Sequence, residues 1–133
     1  VRPDTLKGRT VVEIYGIFFI SEEGIPDAMP EAIELIFRES DSLVFTSATD
    51  WTLRVEKGTW PEVPTWCYPS ESWTYREIDA IPGGPFGKLS EIVSRRNEHG
   101  ELIGVDLGFE GAGHILIRSG EPFVVEFHRE GDR

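Results

Sequence analysis

One cysteine, Cys67, stands in 133 residues, so no disulfide can close within the chain. Small secreted domains commonly rely on such bridges, and a single thiol leans the reading towards a reducing, cytoplasmic setting. Long apolar runs are missing too. A membrane-spanning helix needs roughly 18 apolar residues, and the longest run here, Ile14 to Ile20, has the length of a strand. No basic stretch running into an apolar one stands at the start, as a secretory signal would. Positive charge is scarce: 13 Lys and Arg face 24 Asp and Glu, a formal net charge of −11. A chain this acidic repels nucleic acid and anionic membrane and is steered towards a basic partner. The same charge also serves solubility alone.

Catalytic signatures are absent as well. Gly83-Gly84-Pro85-Phe86-Gly87-Lys88 has the composition of a phosphate loop, but it lacks the Walker spacing and a following Ser or Thr, and reads as a tight turn. The three histidines, His99, His114 and His128, are scattered. His99 falls in a turn. His128 lies two residues from Glu126 on one strand face, a spacing that serves an exposed pair more readily than a metal. Glu13 and Glu91 open the two halves at similar places and would form a paired-carboxylate site only if both faced one cavity. Cys67 has no histidine near it in sequence and reads as a packed thiol. No enzyme, cofactor or metal is expected.

What is there is a repeat. Ile33–Val55 and Val105–Phe127 match in apolar pattern at a spacing of 72 positions without a gap. Ile33, Leu35 and Phe37 alternate with Glu34, Ile36 and Arg38, the period of two that puts successive side chains on opposite faces of a strand. Leu43 and Phe45 continue the inward set, followed by Trp51, Leu53 and Val55. A helix over Glu31–Glu39 is disfavoured because the second copy keeps the period and carries Gly108 at the matching place. Glu13-Ile14 and Glu91-Ile92 extend the match to an earlier strand in each half. For Leu89–Arg96 an amphipathic helix is the competing assignment. Asn97-Glu98-His99-Gly100 is hairpin-turn chemistry.

Two four-strand meanders predict an all-β (or β-rich α+β) domain spanning 1–133. The expected fold is an antiparallel sandwich or barrel of about eight strands, because neither meander alone can cover its apolar face. The first half covers 8–57 and the second 87–128. Between them, 58–86 holds five prolines and Trp60, Trp66 and Trp73. Proline this dense blocks a central strand. Aromatics this dense do not suit a flexible tether, so an ordered connection packed over the sheets is expected, with a short helix or strand near Trp73–Ile78.

That connection carries the candidate site. Trp66, Trp73 and Tyr75 interleave with Glu62, Glu71, Glu77 and Asp79, and exposed aromatics beside polar groups are what binding hot spots are made of. The competing reading is that the rings only cap the core. Asp50-Trp51-Thr52-Leu53 followed by Trp60-Pro61-Glu62-Val63-Pro64 resembles the small acidic bacterial immunity proteins of toxin–immunity systems. The resemblance implies a protein-binding inhibitor that occludes a basic toxin's active site, with Glu62, Glu71, Glu77 and Asp79 supplying charge and Trp66 and Trp73 as anchors. The alternative is a β-barrel that holds a small apolar molecule between its sheets.

Overall fold

The computed structural model describes residues 2–62, 64–78 and 87–128. Nine strands are formed among them: β1 (Thr10–Phe19), β2 (Ala32–Phe37), β3 (Ser42–Ser47), β4 (Leu53–Lys57), β5 (Trp73–Glu77), β6 (Gly87–Arg96), β7 (Leu102–Phe109), β8 (Gly113–Arg118) and β9 (Val124–His128). Pairing is antiparallel throughout, in the order β4-β3-β2-β1-β6-β7-β8-β9, with β5 added to β1. The protein is all-β. Eight strands are the two meanders, and the ninth, β5, comes from the Trp/Pro connection. Leu89–Arg96 lies in a strand, as does Ala32–Phe37, which settles both choices against a helix.

The repeat extends to the register. Ile14 faces Leu35 in the first copy and Ile92 faces Leu107 in the second. A bulge between Val11 and Glu13 recurs between Leu89 and Glu91. A bulge shifts the strand by one residue and would turn every later side chain to the other face, so its recurrence keeps both copies in phase. Thr10 pairs with its own counterpart Lys88, so the palindromic strand order folds about this point.

The inner faces of the two meanders stack into one core. Ile33, Leu35, Phe37 and Phe45 from the first copy meet Val105, Leu107, Phe109, Ile115 and Ile117 from the second, all buried. Each such side chain contributes about 1.5–3 kcal/mol of burial. Leu107→Ala, at a fully buried site, would cost about 2–5 kcal/mol through the cavity it leaves.

Two expectations are corrected. The ungapped match fails in the last strand: Phe45 faces Val55, whereas its counterpart Ile117 faces Val125 and not Phe127. The first copy has a β3–β4 turn longer by two residues, and an even shift preserves which side faces in. Trp51 falls in that turn and is 53% exposed instead of inward. Its place in the core is taken by Leu53, just as Phe123 serves the second copy.

Candidate partner-binding cleft

The connection covers the outer face of the first copy, and this explains why β2 is buried on both sides. Glu34, an outward position by its period, is fully buried there. Burying a carboxylate is costly unless it is bonded on all sides. Its Oε2 accepts from the Ser42 hydroxyl (2.7 Å) and the Trp60 backbone N–H (3.1 Å). Its Oε1 lies 2.7 Å from the Tyr75 hydroxyl. That hydroxyl is equally close to the Glu62 carbonyl, so its one proton faces two acceptors, the Glu34 carboxyl and a backbone carbonyl. A Cβ at Gly58 would collide with the Glu34 carboxylate and Ser42 hydroxyl, so only glycine lets the chain pass here. Tyr15 lies against Trp60 (ring centroids 4.1 Å), and both pack near Tyr75. Burial, then the bond to Glu34, raises the Tyr75 phenol pKa well above its ordinary value. Burial and the nearby Glu34 raise the Cys67 thiol to about 11.

The second copy has no such cover among the described residues. Asp106 stands at the rung of Glu34, bonded to Arg95 (2.8 Å) and Arg118 (2.7 Å). Burial pushes its pKa up, but the bonds from the two guanidinium groups outweigh this and hold it below the usual carboxylate range. A shallow hollow of about 410 Å³ opens on this face, lined by Glu91, Val93, Gly108, His114, Leu116 and His128 among others. His114 and His128 are cross-strand neighbours, and His128 Nε2 lies 3.2 Å from Glu126 Oε2. Glu91 lines this hollow and Glu13 does not. No group of three or more His, Cys, Asp or Glu among the described residues is placed to hold a metal.

A larger cleft, of about 820 Å³, lies where the turns of both copies meet the connection. Ser47 and Ser119 are repeat counterparts, and each ties its copy's turn to the other. Ser47 Oγ accepts from the Gly120 N–H (3.0 Å), and Ser119 Oγ donates to the Trp51 carbonyl (2.6 Å). Trp51 is held at φ 67°, a left-handed conformation unusual for a bulky side chain. Asp50 fixes the turn by accepting from the Thr52 N–H and hydroxyl. Trp73 and Trp66 pack edge to face at 5.3 Å and line the same cleft. The Trp73 indole N–H is buried with no hydrogen-bond partner among the described residues.

Around these rings stand Asp27, Glu31 and Glu121, with Arg54 as the opposing charge. Glu31 is positioned by its backbone, whose N–H donates to the Ile17 carbonyl (2.8 Å) and whose carbonyl accepts from Thr46 Oγ1 (2.9 Å). Burial raises the Glu31 pKa, and repulsion from Asp27 and Glu121 adds to the rise.

The site residues expected from sequence are divided by the fold. Trp66 and Trp73 reach the cleft. Tyr75 is committed to Glu34. Glu62, Glu71 and Glu77 are exposed but do not line the cleft. Asp79 lies outside the described residues. Sequence reasoning missed Trp51, Asp27, Glu31 and Glu121. Only the Asp50-Trp51 turn carried a signal for the site, and the inward phase given to Trp51 hid it. No helix among the described residues is long and apolar enough to cross a membrane. The chain matches no protein-family model, no curated protein and no solved structure.

Proposed function

We propose that this chain is a protein-binding inhibitor of the immunity type, taking a basic bacterial toxin domain against its tryptophan-lined acidic cleft and occluding the toxin's active site. The observation that carries the reading is the lining: three indoles, with three carboxylates against one guanidinium. A Lys or Arg side chain over a tryptophan face gains about 0.5–2 kcal/mol, more as water leaves. The net charge of −11 would speed encounter with a basic partner and make it salt-dependent. Glu62, Glu71 and Glu77 would then act in steering, with Trp51, Trp66 and Trp73 as anchors.

The test is inhibition. A basic toxin domain encoded beside this chain is assayed with equimolar protein, wild type and Trp51→Ala. Inhibition that weakens at high salt and in the variant supports the reading. Full toxin activity in the presence of the wild type removes it. A small-molecule barrel is less favoured, because the two inner faces pack against each other in one cluster and leave their apolar residues to the core.

A further inference from the structure

β1 and β6 are the same strand of two repeats, yet their second edges differ. On β1, β5 takes the edge along Tyr15–Phe19. The Ile14 carbonyl accepts from the Ile78 N–H (2.8 Å) and the Ile20 N–H donates to the Ser72 carbonyl (2.7 Å), so the even-numbered residues of this stretch turn their backbone groups to that edge. Through the shared register, their counterparts on β6 are Ile92, Ser94 and Arg96. Gly8 and Arg9 accompany β6 as far as Leu89, whose N–H and carbonyl they bond. Beyond Leu89, no strand among the described residues pairs with this edge.

We propose that the open edge of β6 is an interface for the β6 of a second copy, the two strands running antiparallel about a two-fold axis at Val93. An unpaired strand edge is a template for another strand, and proteins usually blunt it with Lys, Pro or a bulge. Ser90–Arg96 contains neither Lys nor Pro, and the register shifts of β6 against β7 fall at its two ends, between Leu89 and Glu91 and between Arg95 and Arg96, leaving Glu91–Arg95 regular. Its outward side chains read Glu91, Val93, Arg95, all exposed.

That pattern is self-complementary. Centred on Val93, the pairing sets Glu91 of each copy opposite Arg95 of the other, with the two valines in contact between them. Opposite charges facing across a strand pair are favourable, and like charges are not. Moving the centre by one residue either way puts Val93 opposite a charge and breaks both ion pairs. The backbone agrees with the same centre. Ile92 and Ser94, whose groups face the edge, become the hydrogen-bonded pairs. Val93 becomes the close pair without hydrogen bonds, where side chains approach most nearly.

Val93, 38% exposed, would be covered. Arg95 already bonds Asp106, and a guanidinium with five donors can serve Glu91 of the other copy as well. The strand is also locally basic, with Lys88, Arg95 and Arg96 against Glu91. The repulsion between two chains of net charge −11 is therefore reduced here.

The experiment is sedimentation of the full chain over a concentration series at physiological salt, with amide exchange read at both ends of the series. Wild type should dimerise with concentration, and the Ile92 and Ser94 amides should gain protection as it does. Glu91→Arg, an exposed change, should weaken the dimer about tenfold or more by setting like charges face to face. Glu91→Arg with Arg95→Glu restores the complement and should recover it. A chain that stays monomeric throughout overturns the proposal. So does a dimer indifferent to Glu91→Arg, or one whose Ile92 and Ser94 amides stay unprotected, as when a different surface associates.

Discussion

Positions 34 and 106 occupy the same rung of the two meanders, and each carries a carboxylate on the side away from the core. In the first copy the connection closes over it, so Glu34 is fully buried and served by neutral donors, a serine, a tyrosine and a backbone amide. In the second no described residue closes over the face, and Asp106 is held by two arginines, one of them more than half exposed. The difference shows what a cover does to one chemical group. Where water is excluded, every lone pair must be matched within the protein and the site becomes rigid. Where water remains, long charged side chains suffice and the surface stays available to a partner.

Alanine at the two rungs should separate them most widely. Glu34→Ala strands the Ser42, Tyr75 and Trp60 donors over a cavity and is expected to cost about 3–5 kcal/mol in denaturant unfolding. Asp106→Ala loses partly solvated ion pairs and should cost about 1 kcal/mol. Equal losses would mean that the cover does not seal Glu34. Tyr75→Phe removes one donor from a buried carboxylate, for about 1–3 kcal/mol.

The Cys67 thiol reports the cover directly. Buried, with its pKa raised to about 11, it should react with a thiol reagent far more slowly than in the unfolded chain, since the thiolate is the reactive form. Tyr75→Phe should speed that reaction by loosening the cover, while Asp106→Ala should leave it unchanged. A rate unmoved by Tyr75→Phe would show that the cover opens elsewhere.

The pH dependence should differ in sign between two carboxylates. The Asp106 pKa is held low, so its contribution is present above the ordinary Asp range, near 4, and is lost as pH falls through the lowered value. The Glu31 pKa is raised in the fold. Its ionised form is disfavoured there, so stability rises as pH falls through the raised value. Glu31→Gln should therefore give a small gain in stability at neutral pH and weaken binding of a basic partner. A partner bound equally well by this variant would place the contact away from the cleft.

Much of the fold was legible because strand alternation is local. Ile33, Leu35 and Phe37 disclose their shared face within five residues, and Val105, Leu107 and Phe109 repeat it. The bulge near Glu13 and its counterpart near Glu91 were visible only as matching Glu-Ile pairs. The two-residue slip of the last strand was hidden, since an even shift leaves the inward pattern intact. Of the site, Trp66 and Trp73 could be named from the density of aromatics. Asp27, Glu31 and Glu121 could not, because loops far apart in sequence bring them together. Tyr75 looked like a contact residue, and Glu34 like one turned away from the core, until the connection was seen to join them.

The sequence by itself determined the all-β class, the repeat, which side of the repeated strands faces the core and the acidic character of the chain. Each of these follows from composition or from a period of two residues. Only the tertiary structure decided which outward faces stay exposed, since outward on a strand means away from one sheet and says nothing of what lies beyond it. The connection made that choice: among the described residues it covers Glu34 and leaves Asp106, Val93 and the edge of β6 open.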